Sequence, residues 1–561
     1  MNFDCFEVYN LWCNSTKIDD ETKEELKAIE NNADEIRERF AKEIEFGTAG
    51  VRGVLGAGTN RINKYVVRKV TKGYAEYLKT LGRAACERGV VIAHDNRRRS
   101  REFCLETAGV LAKNGIKSYI FDSLRPTPEL SFAVRELGAI GGVMITASHN
   151  PPEYNGYKLY DARGCQLVPE INEKVINEIE KIDDMLSVSS YSLEEAGELV
   201  EMLGKDIDEK YYRAVMDISV NKVDASALNV VYSPQHGTGN IPVREVLSRF
   251  GYNVIPVIEQ CEPDTEFSNT ENPNPEVDAA YTLAIEYAKK NNADIAITTD
   301  PDCDRLGVAV KFGDGDEYKR LTGNQSAAVL LEYILSEKKK KGTLPDNALM
   351  FNTVVTSDIG DKICEYYGVE VEKTLTGFKF IGDKIHRHEL TDEKPFVFGY
   401  EESYGCLISD IARDKDAVQA SLMLCEAAAH YKSEGKTLVE VLRGIYDRHG
   451  FYLDAQSSFT FKGIDGAAKM AELVNSFRVS PPMAVESIAV SKIEDYTSKE
   501  MSERGFPKSN VLRFILEDGS WIAIRPSGTE PKCKFYYCVV AEDRSKACEK
   551  LEAIKSVFER F

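Results

Sequence analysis

No stretch of this 561-residue chain approaches the ~18 apolar residues that a membrane-spanning helix needs, so no membrane association is expected. The first residues, Met1-Asn2-Phe3-Asp4-Cys5-Phe6-Glu7, lack the basic head and apolar stretch of a signal peptide. A basic excess is missing too: 71 Lys and Arg stand against 91 Asp and Glu, a net charge of −20. That charge opposes attraction to nucleic acid or an anionic membrane, and neither is expected as a partner. The 13 cysteines are odd in number and scattered, with no C-x-x-C pair. Free thiols in a reducing compartment, the cytoplasm, are the expectation. Cys364 and Cys425 lie in helix-like stretches and read as core. No low-complexity tract interrupts the chain. What remains is globular: at 43% hydrophobic and 29% charged residues a sizeable core is supported. The length implies about three to five domains. An anionic ligand would have to be held by local clusters of Arg, Lys and backbone N–H groups against the overall field.

Glu21–Phe40 reads as helix, with Leu26, Ile29, Ala33, Ile36 and Phe40 at spacings of three and four. A Gly-rich turn, Phe46–Gly53, follows. Helices near 64–81 and 101–114 then alternate with strands at 90–93, 118–121 and 139–145, implying a mostly parallel sheet with crossover helices. A second round has strands at 229–232, 253–258 and 295–299 with a helix over 276–290, and a third runs from a helix near 324–337 through strands at 348–352 and 396–399. Charge-rich Glu194–Asp208 reads as a linker and Ser336–Asp346 as a surface excursion. From about Phe451 the alternation becomes that of an antiparallel sheet with two helices. Domains are therefore expected at 1–205, 206–322, 323–450 and 451–561, three α/β units and an α+β unit.

Four loops, each at the end of an apolar run, carry chemistry. Thr146-Ala147-Ser148-His149-Asn150-Pro151, with Lys158 beyond it, sits past the carboxyl end of a strand, where open α/β sheets bind ligands. Asp300-Pro301-Asp302-Cys303-Asp304-Arg305 places three carboxylates at alternate positions, able to converge on one hard cation; a solvated acidic turn is the alternative. The glycine and distal Glu of an EF-hand are missing, and so small a carboxylate set favours Mg²⁺ completed by phosphate or water. Gly399-Tyr400-Glu401-Glu402-Ser403-Tyr404-Gly405 suits hydrogen bonding to vicinal sugar hydroxyls, although a polar hairpin loop would look similar. Arg525-Pro526-Ser527-Gly528-Thr529-Glu530-Pro531-Lys532 joins a guanidinium, two hydroxyls and flexible backbone into a phosphate cradle, with a surface turn as the alternative.

In all four loops, in order and over nearly the whole length, the chain resembles the α-D-phosphohexomutases. The resemblance implies four domains in a heart-shaped arrangement, three similar α/β domains with mixed sheets and a C-terminal α+β domain. It implies that Ser148 is phosphorylated and joins Asp300, Asp302 and Asp304 on one Mg²⁺ per chain. Lys158 would handle the substrate hydroxyl proton, with His149, Arg305 and Arg52 of the Gly-rich turn as further catalytic groups. Glu401, Ser403, Gly377 and Lys415 would bind the sugar, and Arg525, Ser527, Gly528 and Thr529 the phosphate already on the substrate. Glu-Glu-Ser-Tyr-Gly and the run Thr374–Gly382 are similar to the glucose-specific members.

The implied reaction interconverts α-D-glucose 1-phosphate and glucose 6-phosphate by way of glucose 1,6-bisphosphate, which also serves as activator. Ala147, Pro526 and Glu530-Pro531 are shared with a subgroup that includes phosphopentomutases and glucose-1,6-bisphosphate synthases, so ribose phosphates stand as alternative substrates and mannose phosphates as another. The partners implied are small sugar phosphates, in a monomer or homodimer. A Ser148–His149 hydrolase dyad is disfavoured by the missing G-x-S-x-G elbow and by adjacent strand side chains pointing to opposite faces, though a loop could evade the second objection. An inactive sugar-phosphate sensor is the non-enzymatic alternative, which has no need for an intact Ser148, Lys158 and aspartate set.

Overall fold

The computed structural model describes residues 4–47, 50–313, 315, 317–391, 394–461, 465–527 and 531–560. They fall into two compact units, one of residues 1–320, 382–390 and 405–429, the other of 321–381, 391–404 and 430–561.

The first unit is built on two mixed sheets. In one, the strands Val90–His94, Ser118–Phe121 and Gly141–Ile145 run parallel, and Tyr154–Asp161 turns back antiparallel against Gly141–Ile145. Val51–Val54 closes that edge by pairing with Tyr154–Asp161, and Val200–Leu203 closes the other. In the second sheet, Asn229–Ser233 pairs parallel with Asn253–Pro256 and Ile295–Thr299, and Leu306–Phe312 returns antiparallel. Every residue of Val90–His94, Gly141–Ile145 and Ile295–Thr299 is buried, as expected of strands covered by helices on both faces. Helix Lys64–Thr80 shows the covering device: Asn63 caps the N–H groups of Tyr65 and Val66, and Val66, Val67, Val70, Tyr74 and Leu78 enter the core.

The second unit has the parallel strands Leu349–Thr353, Glu370–Thr374 and Phe396–Tyr400 beside helices Gly323–Lys340, Ile359–Tyr367 and Leu438–His449. An antiparallel sheet follows, ordered Phe451–Thr460, Lys532–Ala541, Trp521–Pro526, Leu512–Leu516, Ile488–Asp495 and Ala484–Val485. Helices Gly466–Val479 and Arg544–Phe558 cover it through Phe477 and Phe558, whose rings stack 5.8 Å apart. The expected change of character near Phe451 is therefore present.

Several expectations need correction. Glu21–Phe40 is two helices, Asp20–Ala28 and Ala33–Phe40, because Asn32 accepts from Glu35 N–H and starts a new helix. Glu194–Asp208 is more than a linker: it holds the edge strand Val200–Leu203 and the start of helix Lys205–Met216. Ser336–Asp346 begins as the last turn of helix Gly323–Lys340, with Glu337 buried. The helix expected from Glu276 begins at Thr282, after a 3₁₀ turn over Asp278–Tyr281. All 13 cysteines are free, with Cys364 and Cys425 in the core. Among the described residues no helix is long and apolar enough to cross a membrane.

Candidate active site

The serine loop takes its shape from a buried polar relay. Beyond Gly141–Ile145, the Thr146 hydroxyl donates to Asp95 Oδ2 (2.7 Å) and accepts from Ser148 N–H (2.8 Å). Arg97, paired with Asp95 at 3.2 Å, donates to the carbonyls of Ser148 and Asn150 (both 2.5 Å), Pro151 (2.8 Å) and Tyr154 (3.0 Å). Its side chain is wholly buried beneath the Phe267 ring. Under this grip Ser148 adopts φ 53°, the left-handed region. That conformation is the loop geometry that evades strand alternation. The two side chains do meet, Oγ to Nδ1 at 3.2 Å. Burial and the charges of Arg305 and Arg52 hold His149 well below the usual imidazole range, so its ring is neutral near pH 7.

Ser148 Oγ donates to Asp300 Oδ2 at 2.8 Å, which ties the serine loop to the acidic loop. Asp300, Asp302 and Asp304 are buried, with ligand atoms all within 4.8 Å of one another. The loop is wound tightly: Cys303 has φ 55°, and Asp300 Oδ1 accepts from the N–H groups of Asp304 (3.1 Å) and Arg305 (3.0 Å). Such crowding has an electrostatic cost. Burial and the charges of Asp304 and Asp302 push Asp300 well above the usual carboxylate range, whereas at Asp302 burial is outweighed by Lys158, the Asp300 carboxyl and Lys415 together, which hold it down. Asp302 Oδ1 and Asp304 Oδ1 are buried without a hydrogen-bond partner. A converging set of hard oxygens, two of them orphaned, fits a divalent cation such as Mg²⁺.

The remaining candidates of this unit lie around that centre. Lys158, opposite Met144 in the adjoining strand, places Nζ 2.8 Å from Asp302 Oδ2 and 3.8 Å from Asp304 Oδ2. Arg52, opposite Gly156 at the sheet edge, donates to Asn150 Oδ1 at 3.0 Å. Arg305 turns its guanidinium to Glu276 (2.5 Å) and lies 3.8 Å from Asp304. Lys415, expected as a sugar ligand, lies 3.1 Å from Asp304 Oδ2 and 3.0 Å from Asp414 Oδ1. Arg97, Asp95 and Thr127, which sequence reasoning does not single out, act on backbone or through other residues. The motif most able to reveal them is Asp95-Asn96-Arg97 at the end of a buried strand, the same position as the serine loop.

In the second unit Glu401 is buried and accepts from Gly377 N–H at 2.7 Å, while Ser403, two residues on, is half-buried. Gly377 has φ 118°, which a side chain would strain. Arg525 is the last residue but one of the strand Trp521–Pro526, opposite Lys534, and Ser527 N–H donates to Lys532 O at 2.7 Å. Gly528 and Thr529 lie outside the described residues.

The chain matches four segments of one family. These are phosphoglucomutase/phosphomannomutase alpha/beta/alpha domain I over residues 43–185, domain II over 209–313, domain III over 322–449 and the C-terminal domain over 473–553. It is 37% identical over 529 residues to a phosphoglucomutase of Staphylococcus aureus strain MRSA252, covering 93% of this chain and 94% of the relative. A phosphoglucomutase of Staphylococcus epidermidis is 39% identical over 523 residues, covering 91% and 94%. The solved open form of pp63/parafusin, a phosphoglucomutase from Paramecium, is similar in fold with a TM-score of 0.71 at 18% identity, covering 93% and 95%.

Proposed function

Because the chain belongs to the phosphoglucomutase/phosphomannomutase family, we propose that Ser148 carries the phosphoryl group in a mutase cycle run from the site described above. The activity is that of a phosphoglucomutase, an isomerase of the intramolecular phosphotransferase kind that interconverts α-D-glucose 1-phosphate and glucose 6-phosphate. Phosphoserine 148 gives its phosphoryl group to the free hydroxyl of the sugar monophosphate. The Oγ–P bond breaks, a new O–P bond forms, and glucose 1,6-bisphosphate results. The bisphosphate reorients, its other phosphate returns to Ser148, and the isomer leaves.

Asp300, Asp302, Asp304 and a Ser148 oxygen would hold one Mg²⁺ per chain. When bound, the ion supplies positive charge to the oxygens of the transferring group. Lys158, its Nζ held 2.8 Å from Asp302 Oδ2, handles the proton of the attacking hydroxyl. His149, neutral and 3.2 Å from Ser148 Oγ, is a hydrogen-bonding partner for that oxygen and not a second charge. Arg52 and Arg305 offer guanidinium groups to the phosphoryl oxygens, and Lys415 supplies a further cation beside Asp304. Glu401, set by Gly377 N–H, and Ser403 grip sugar hydroxyls, while Arg525, Ser527, Gly528 and Thr529 hold the phosphate not being transferred. That last grip must accept two sugar orientations, so its bonds fall on phosphate oxygens. Water has to be kept from phosphoserine, since hydrolysis would drain the cycle.

The observation that carries this reading is the 2.8 Å bond from Ser148 Oγ to a carboxylate of a buried three-aspartate cluster. Charging the protein with glucose 1,6-bisphosphate and mapping the label by peptide mass tests it. Phosphate should appear on the peptide holding Ser148, and Ser148→Ala should abolish turnover while still binding glucose 6-phosphate. A label on any other residue, or substantial turnover by the variant, overturns the reading. Parallel assays with ribose 1-phosphate and mannose 1-phosphate fix the sugar preference, for which glucose is expected to lead.

A further inference from the structure

The helix Thr127–Glu136 belongs to the first sheet, yet its first residue reaches the acidic loop of the second. Thr127 is fully buried. Its N–H donates to the Asp302 carbonyl at 2.9 Å, and its hydroxyl donates to Asp302 Oδ2 at 3.0 Å. One residue thus fastens both the backbone and the carboxylate of Asp302.

The rest of the loop is fixed elsewhere. Thr238 N–H and its hydroxyl both donate to Pro301 O, at 2.8 and 3.0 Å, and a Cβ on Gly237 would come within 2.5 Å of Pro301. With the backbone held on both sides, rotation of the Asp302 carboxylate is the remaining freedom. Two donors close it, Thr127 Oγ1 and Lys158 Nζ, and both take Oδ2. Oδ1 is left buried with no hydrogen-bond partner. An unpaired buried carboxylate oxygen is costly, and a bound cation is the partner that would remove that cost.

We infer that Thr127 is a positioning residue for the metal centre, holding Oδ2 of Asp302 so that Oδ1 is the oxygen offered to a divalent cation. This rests on the metal-binding reading of the aspartate cluster. Lys158 cannot replace it: a lysine on a flexible stem, given a proton-handling role, leaves Oδ2 unrestrained whenever it moves. A threonine hydroxyl at a helix start stays in place through the cycle. Partners of this kind, which orient a ligand and do not touch the metal, are worth about 10- to 100-fold in metal affinity.

The test measures Mn²⁺ binding to the full chain by electron paramagnetic resonance, without substrate. Thr127→Val preserves volume and removes the hydroxyl; it should weaken Mn²⁺ binding about tenfold or more. Thr127→Ser keeps the hydroxyl and loses a methyl group; it should bind like the parent. If packing alone mattered, the smaller serine would be the worse variant, so a Ser variant that fails where Val succeeds overturns the inference. Should the Val variant not fold, Thr127→Ala takes its place, again compared with Ser. Asp302→Asn separates the two levels of argument. If Asp302→Asn loses Mn²⁺ while Thr127→Val binds like the parent, Thr127 has no positioning role and the metal site stands. If Asp302→Asn itself binds like the parent, the metal reading is wrong and the role of Thr127 falls with it.

Discussion

Ser148 is held at φ 53° without being glycine, a conformation worth of order 1–3 kcal/mol of strain. The restraint that sustains it is the guanidinium of Arg97, whose planar fork reaches four carbonyls of the loop while Asp95 balances its charge. A lysine has three donors on one atom and cannot span the same carbonyls. Arg97→Lys should therefore let the loop relax and misplace Oγ, lowering kcat on the order of a hundredfold. Because the sugar and phosphate grips are untouched, KM should change little, which separates a positioning loss from general damage. Steady-state kinetics beside a melting curve check this, and an unchanged kcat refutes it. Residues of this class explain what the sequence conceals. Ser148, Lys158 and the three aspartates are legible because their chemistry needs those side chains in a short, fixed order. Arg97 and Thr127 lie far along the chain from the atoms they orient, and their contacts to backbone or to another side chain leave no local pattern.

Among the elements, the legible ones are buried on both faces, where apolar runs such as Val90–His94 and Ile295–Thr299 are continuous. Val200–Leu203 escapes a sequence reading because it is an edge strand with Glu201 and Met202 exposed, paired on one side only, so it carries no apolar signature. Tyr154–Asp161 escapes it for the opposite reason: a loop motif rich in Asn, Pro and Gly leads into it and masks the strand. The strand Ile488–Asp495 shows how one buried charge can be built into an otherwise exposed or half-buried element. Glu494 accepts from Lys492 (2.8 Å), Arg504 (3.1 Å) and Tyr496 (3.0 Å), with Arg513 at 3.7 Å. Burial alone would raise its pKa, but these bonds and charges outweigh burial and hold it at about 2, against an ordinary 4.5. The folded-state value lies below the unfolded one, so the stabilisation is present above pH 4.5 and is lost as pH falls toward 2. Glu494→Gln should lower the melting temperature at pH 7 and should flatten its fall across that acid window. Calorimetry from pH 7 to 2 checks it, and parallel curves for the two proteins would remove Glu494 as a source of acid sensitivity.

For the molecule as a whole, compactness and chain order diverge. The first unit draws on residues 382–390 and 405–429, which lie well beyond the end of its second sheet. These later segments meet buried groups: Tyr160 OH donates to Asp414 Oδ2 (2.8 Å), Tyr211 OH to Asp416 (2.9 Å), and Arg413 N–H to Ser131 Oγ (2.8 Å). Ala417 N–H donates to the carbonyl of Cys303, inside the acidic loop, at 3.2 Å. Glu426 accepts from Ser219 Oγ (2.6 Å) and from the N–H groups of Val220 (2.9 Å) and Asn221 (2.7 Å). A chain ending at Arg320 keeps both sheets and every aspartate of the cluster, yet it strips partners from Tyr160 and Tyr211, which are fully buried in the complete protein. Unpaired hydroxyls and newly bared apolar surface cost stability together. Residues 1–320 expressed alone should therefore bind a hydrophobic dye and lack a cooperative melt at any transition of the full chain. Extending that fragment through residue 429 should restore the first unit's cooperative transition, because the added length returns Arg413, Asp414, Asp416 and Glu426 to their partners. If 1–320 alone melts cooperatively beside the full chain and binds no dye, the later segments are accessories, and the first unit is complete where its second sheet ends.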